Sequence, residues 1–371
     1  MKLVYIVNRI DGPGGLERVL SIKASMLADH YDYDVHIVTL NQKESDLFYE
    51  FSPKLTYHNI IARGNPLIHA YKYASGLRKT IKKLNPDVIA VCDDGLKGFL
   101  VPLILGKPCP MVYERHVSRN ATVKDNTSIA GKIKLGLMNY GGKFYDHFIV
   151  LTKGNLNEWT FKNLKVIPNP LSFYPEEQSS LKNKKVLAVG KQSFQKGYDR
   201  LLQSWKQVIE KHPDWSLDIY GTINKSEGLD ELATDLGISE TVHFHAPVKN
   251  IADKYKEASI YAMSSRYEGF GMVLTEAMAY GVPCVSFDCP YGPSDIITDG
   301  TDGYLVTNGD TNVLGERIIN LIEDDQKRSN MGGKARESVK SYLPEVITKT
   351  WNELFVSLKT KGVQQVLKQT N

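Results

Sequence analysis

The sequence predicts an α/β protein of two doubly wound, parallel-sheet domains in tandem, facing each other across a cleft. Three observations lead there. Continuous apolar runs of strand length alternate with segments of helical length and spacing, the pattern of a parallel sheet covered on both faces. The alternation breaks at a stretch rich in proline and serine and then starts again. Finally, the chain has 371 residues, more than one core of roughly one to two hundred residues accommodates.

The first half opens with a strand at 2–8 (KLVYIVN), followed by strands at 34–40, 54–60, 86–92, 110–115 and 146–152. Helical spacing fills the intervals 15–29, 67–84, 95–105 and 129–142. Across 168–183 (PNPLSFYPEEQSSLKN) three prolines and a polar run mark a linker. The rhythm resumes with strands at 185–190, 216–221, 241–245, 259–264, 283–287 and 303–306. Helices lie between them at 197–211, 226–236, 251–258 and 271–280, and three more near 311–324, 326–341 and 345–358 end the chain. The resulting boundaries are an N-terminal domain 1–170, a linker 171–183, a C-terminal domain 184–342 and a terminal helix 343–371 that packs back on the first domain. In open sheets of this kind ligands bind outside the carboxyl ends of the strands.

Composition excludes several classes. With 42% hydrophobic, 24% charged and 10% aromatic residues, the chain is neither disordered nor collagen-like nor a coiled coil. It contains no run of eighteen apolar residues, and MKLVYIVNR reads as a first strand rather than a signal peptide. Cys92, Cys109, Cys284 and Cys289 form no CxxC pair and have no histidine at metal spacing, so they read as free thiols of a reducing compartment. The net charge of +4 conceals a basic first half, where residues 1–170 carry 23 Lys and Arg against 15 Asp and Glu. Such an excess attracts anionic lipid or substrate, although Lys79, Lys82 and Lys83 equally fit the solvation of a helix face. No nucleic-acid-binding signature accompanies it.

The chemistry concentrates in 264–292. Glu268 and Glu276 are spaced E-x7-E, and Gly269-Phe270-Gly271 follows Glu268 directly before a helical pattern. Glycines after a strand let backbone approach a ligand, and the amides of a helix start, here Gly271, Met272 and Val273, suit a phosphate. Glu276, farther along the helix, is placed to accept hydrogen bonds from sugar hydroxyls. Singly these carboxylates would be ordinary helix acids; the combination with the glycines favours a site. In 184–202, Lys191 and Lys196 flank a strand-to-helix loop, as cations that neutralise a diphosphate or as plain surface lysines. DGPGGLER at 11–18 puts Gly14 and Gly15 after the first strand, either a phosphate-approach turn or simply a tight one. His116, in YERH, falls at another strand end. There is no GxSxG, P-loop or HExxH motif.

The runs EGFGMVLTEAMAYGVPCVSFD (268–288), VGKQSFQKGYDRLL (189–202) and GGLER (14–18) resemble the retaining glycosyltransferases of family 4, which have the GT-B fold of two Rossmann-like domains. SFDCPYGPSDII at 286–297 looks like enzymes that build bacterial capsular or O-antigen polysaccharides. The resemblance implies that the C-terminal domain binds the nucleotide sugar and the N-terminal domain the acceptor. It gives the ribose to Glu276, the transferred sugar to Glu268, and the diphosphate to Lys191, Lys196 and the amides of Gly271 to Val273. Gly14 and Gly15 would reach the phosphates, His116 would lie near the donor sugar, and HAPVKN (245–250), with Val248, would hold the base. Three positions depart from the family pattern: Lys191 stands where Arg is usual, Ala246 where Gly is common and Asp295 where Glu is frequent.

By the same resemblance the expected activity is transfer of a hexosyl or N-acetylhexosaminyl group from a nucleotide diphosphate sugar, UDP-linked, to a hydroxyl of a glycan or lipid-linked acceptor, with retention and without a metal or other cofactor. A nucleotide-sugar 2-epimerase on the same fold and a non-catalytic subunit that binds a nucleotide sugar or a glycan are the alternatives. The expected location is the cytoplasm. There the run 131–137, alternating basic and apolar residues, either rests on the inner face of the membrane or covers the sheet as an ordinary amphipathic helix.

Overall fold

A computed structural model describes residues 1–43, 46–122, 128–248 and 250–369. The chain forms two compact units, one of residues 1–172 and 344–371, the other of residues 173–343.

The first unit runs β1 (Lys2–Val7), α1 (Gly15–His30), β2 (Asp34–Leu40), β3 (Thr56–Ile60), α2 (Pro66–Leu84), β4 (Val88–Cys92), α3 (Leu96–Leu105), β5 (Met111–Glu114), α4 (Arg119–Thr122), α5 (Ile129–Gly142), β6 (His147–Val150) and β7 (Leu164–Val166). Its sheet is ordered β3-β2-β1-β4-β5-β6-β7, every pairing parallel. Because successive strand residues face opposite ways, Val4, Ile6, Val38, Ile89, Val91, Tyr113 and Phe148 form one core with Tyr73, Leu77 and Ile81 of α2, Phe99 of α3 and Met138 of α5. Leu3, Tyr5, Val35 and Ile37 are equally buried, so the strands are apolar on both faces, which is why they read as unbroken runs.

The second unit runs β8 (Lys185–Val189), α6 (Tyr198–Lys211), β9 (Ser216–Tyr220), α7 (Leu229–Asp235), β10 (Val242–His245), α8 (Ala252–Glu257), β11 (Ile260–Met263), α9 (Met272–Ala279), β12 (Cys284–Asp288), α10 (Pro293–Ile296), β13 (Gly303–Thr307), α11 (Thr311–Glu323) and α12 (Asp325–Ser338). The sheet is again parallel, in the order β10-β9-β8-β11-β12-β13. Trp205, Leu201 and Val208 of α6 and Leu314, Ile318 and Leu321 of α11 cover one face. The last helix, α13 (Pro344–Gln369), packs on α1 of the first unit, where Tyr33 donates to Asn352 at 2.7 Å and Lys359 pairs with Asp87 at 3.1 Å.

Two differences from the sequence reading have physical causes. β7 is three residues long and half-buried, so LKV carries too little pattern to be seen. The stretch 171–183 has no helix or strand, yet it is not a solvated tether. From Phe173 onward it belongs to the second unit, with Phe173 against Tyr280 at 5.7 Å. Arg328, buried in α12, donates to the carbonyl of Leu181 at 3.0 and 3.2 Å. Prolines and serines marked a segment without regular structure; they could not show that a guanidinium elsewhere would satisfy its backbone.

Candidate active site

The sheet order reverses direction between β1 and β4 in the first unit and between β8 and β11 in the second, the topological switch points where doubly wound sheets bind ligands. The helices that follow these four strands, α1, α3, α6 and α9, begin at Gly14, Gly95, Gly197 and Gly271, and none has a side-chain cap. Among the other helices, Asn65 on α2, Ser128 on α5, Asp310 on α11 and Asp324 on α12 supply side-chain caps, whereas α7, α8 and α10 have none. Side-chain caps consume first-turn amide donors that an anion would otherwise use.

In the second unit the loops after β8 and β11 lie side by side. Gly197 has φ +62° and a Cβ there would collide with the carbonyl of Ser264. The Ser264 hydroxyl donates to the carbonyl of Lys196 at 2.9 Å, and the Arg266 amide to that of Gln195 at 2.7 Å. This stitching sets Lys196 Nζ 2.8 Å from Glu268 Oε1, with Ser265 donating to the same oxygen at 2.6 Å. Both members of the ion pair are largely withdrawn from solvent, their side chains 18% and 9% exposed. Arg266 clasps Asp199 through two hydrogen bonds at 2.9 and 2.7 Å. Burial works to raise the Asp199 carboxyl, but the guanidinium outweighs it and the carboxyl titrates below its usual range. Lys191, by contrast, is exposed and forms no ion pair with a described residue.

The remaining predicted residues of this unit sort by depth. Gly269 to Val273 follow Glu268 into α9, with Phe270 buried against Tyr342, so its contribution there is backbone. Glu276 is 2% exposed, and its Oε2 accepts from the Tyr255 hydroxyl at 2.9 Å. Val248 is exposed on the loop after β10; of the run 245–250, Lys249 lies outside the described residues. That loop adjoins the others through backbone: Gly221 donates to the His245 carbonyl at 3.0 Å, and Gly190 to that of Tyr220 at 2.8 Å. A Cβ on Gly221 would strike the Gly190 carbonyl.

Gly14, Gly15 and His116 belong to the first unit. Gly14 has an ordinary φ of −75°, and the Glu17 carboxylate, the far end of a flexible side chain, folds back over the turn beside it. His116 Nε2 lies 3.4 Å from Glu114 Oε2, and its backbone amide donates to Asp94 at 3.1 Å. Glu114 is ion-paired with Lys23, and both are almost fully buried. Lys23 Nζ also sits 4.1 Å from the ring centroid of Trp351. Burial pushes the Glu114 carboxyl up, but Lys23 and His116 together hold it below its usual range. Tertiary folding brings Cys92 beside Glu114 and His116, their ligand atoms within 4.8 Å of one another. The Lys23 ammonium already supplies the positive charge there, and burial pushes the Cys92 thiol up, which opposes metal ligation.

Sequence reasoning missed Tyr255, Ser265 and Lys23. A signal existed for Lys23, since it falls on the buried stripe of α1 between Val19, Leu20 and Leu27. None existed for Tyr255, which meets Glu276 only through the fold.

The chain is similar to known proteins along most of its length. Residues 173–338 match the model of the family described as glycosyl transferases group 1. The chain is 30% identical to the amylovoran biosynthesis glycosyltransferase AmsD of Erwinia amylovora, over 95% of this chain and 99% of that one. It is 32% identical to the lipopolysaccharide 1,6-galactosyltransferase of Salmonella typhimurium, over 83% and 86% of the two chains. Among solved structures it resembles HepE of Anabaena in complex with UDP, with a TM-score of 0.78 at 19% identity over 96% of this chain and all of that one. The two parallel-sheet units thus have the architecture of GT-B glycosyltransferases.

Proposed function

The chain belongs to the group 1 glycosyltransferases, and from that premise we propose that it moves a hexosyl or N-acetylhexosaminyl group from a UDP-sugar to a hydroxyl of a glycan or lipid-linked acceptor, with retention, in the synthesis of a bacterial surface polysaccharide. The single observation that carries the reading is the Lys196–Glu268 ion pair, which sets a cation and an acid side by side next to the uncapped start of α9. A sugar nucleotide needs that pairing: positive charge for the diphosphate and a carboxylate for the sugar beside it.

In the proposed reaction the bond from the anomeric carbon to the diphosphate breaks and a bond to the acceptor oxygen forms on the same face. The acceptor proton passes to an oxygen of the departing diphosphate, so UDP and a glycoside leave. Lys191 and Lys196, with the amides of Gly271, Met272 and Val273, stabilise the charge that develops on the leaving group. Glu276 accepts from ribose hydroxyls, Glu268 and His116 orient the transferred sugar, and Val248 borders the base. The roles that the family resemblance implies for Gly14 and Gly15 belong to the same proposal. No metal or other cofactor has a part in it. The names of the AmsD and lipopolysaccharide relatives support a surface-glycan product, and the proposed location is the cytoplasm. No described helix is long and apolar enough to cross a membrane.

A thermal-shift screen of nucleotides and nucleotide sugars tests the proposal. A ligand that binds only the native state raises the melting temperature by mass action, so UDP and one UDP-sugar should stand out. A screen in which no uridine nucleotide stabilises the chain would overturn the donor reading. UDP release that requires a saccharide acceptor separates transfer from epimerisation, and any acceptor-dependent turnover excludes a purely binding role.

A further inference from the structure

On one face of the first sheet the helices α2, α3 and α5 form a packed layer without a single acidic residue along any of the three. They carry basic residues instead, five on α2, one on α3 and two on α5. Lys79, Lys82, Lys83 and Lys132 are exposed and have no ion-pair partner among the described residues. The layer on the opposite face differs, since α1 and α13 include Glu17, Asp29, Glu345 and Glu353.

Helix α5 is also turned inside out. Its buried side is made of Gly131, Met138, Gly141 and Gly142, and a Cβ on Gly141 would strike the Phe99 carbonyl of α3. Four of its large apolar residues point outward: Ile129, Ile133, Leu137 and Tyr140 are 79%, 60%, 41% and 55% exposed. Spaced at i, i+4, i+8 and i+11, they form one continuous stripe. Exposed apolar stripes mark interaction sites. The surrounding charge selects the occupant, because a second copy docking by the same face would set lysine against lysine. Anionic lipid meets both demands, offering phosphates to the ammonium groups and an acyl boundary to the stripe.

We propose that the α2–α3–α5 layer docks on an anionic lipid bilayer, with the α5 stripe entering the boundary between headgroups and acyl chains. The proposal rests on this surface alone and does not depend on the donor or on transfer. It is tested by floating the purified full chain with vesicles of phosphatidylcholine, with and without phosphatidylglycerol. The chain should float with the anionic vesicles only, and less at high salt, because screening weakens the lysine attraction. Ile133→Ser/Leu137→Ser should bind at least about tenfold more weakly, as should Lys79→Gln/Lys82→Gln/Lys132→Gln at low salt. All five positions are exposed, so both variants should melt like the parent; if the apolar variant does not fold, the charge variant decides alone. Absence of flotation at low salt, equal binding to neutral vesicles, or unchanged binding by a folded variant would overturn the proposal. So would size-exclusion evidence that the apolar variant converts a dimer to a monomer, which would make the stripe a subunit interface.

Discussion

Lys196 Nζ and Glu268 Oε1 are 2.8 Å apart across two loops separated by 72 residues of sequence. The ammonium is thus already held where the proposed diphosphate would sit, and it exchanges part of a carboxylate contact for phosphate when donor binds. Lys196→Ala should lower kcat/KM for the nucleotide sugar by about tenfold or more, in line with loss of one charge-stabilising donor. It should also destabilise the fold by about 1–3 kcal/mol, because Glu268 keeps its burial and loses its counter-charge. Steady-state kinetics beside urea unfolding separates the two effects, and unchanged kinetics would remove Lys196 from the site.

Tyr255→Phe removes only the hydroxyl that donates to Glu276 and leaves the ring against Tyr261 and Tyr280. A buried carboxylate deprived of a donor costs about 1–3 kcal/mol. Calorimetric titration with UDP should show several-fold weaker binding, because the carboxylate assigned to the ribose loses its orientation. Destabilisation with undiminished UDP affinity would assign Glu276 a structural role only.

Gly197→Ala forces a side chain into the left-handed region at φ +62° and onto the Ser264 carbonyl, where backbone cannot give way. The expected loss is about 1–3 kcal/mol or more, accompanied by a fall in donor affinity, since the same contact aligns the Lys196 and Glu268 loops. Thermal melting with and without UDP reads both.

Lys23→Met should cost about 3–5 kcal/mol, because it strands the Glu114 carboxylate in the core. Lys23→Met/Glu114→Gln should recover most of that loss, since no uncompensated charge remains. A double-mutant cycle by urea unfolding measures the coupling; additive losses would mean that the pair is not coupled.

Asp199 supplies a pH dependence. Its native carboxyl titrates below the unfolded value of about 3.9 because Arg266 binds the ionised form. Its contribution to stability is therefore complete above the unfolded value and is lost as pH falls through the lower native one. Unfolding free energy measured downward from pH 5 should fall less steeply in Asp199→Asn than in the parent chain. Parallel profiles would show that the clasp is energetically silent.

What could be read directly from the chain were features carried by short-range pattern. The runs KLVYIVN and KVLAVG announce β1 and β8 because strands buried on both faces must be apolar throughout. Glycines at 197 and 271 announce helix starts, and E-x7-E announces a loop acid and a helix acid. Partnerships between distant residues were not legible. Nothing local in Tyr255 points to Glu276, nothing in Leu181 foretells the guanidinium of Arg328, and nothing in Glu17 shows that it folds back over Gly14. Nor does the pattern of α5 tell inside from outside, since glycine on the buried face and isoleucine on the exposed one invert the usual rule. The residue types and their periodicity therefore determined which elements form and which chemistry is present. The packing of the sheets and helices decided which charges meet, which side chains are withdrawn from water and which face stays open, because those depend on approach in space between groups that the chain itself keeps far apart.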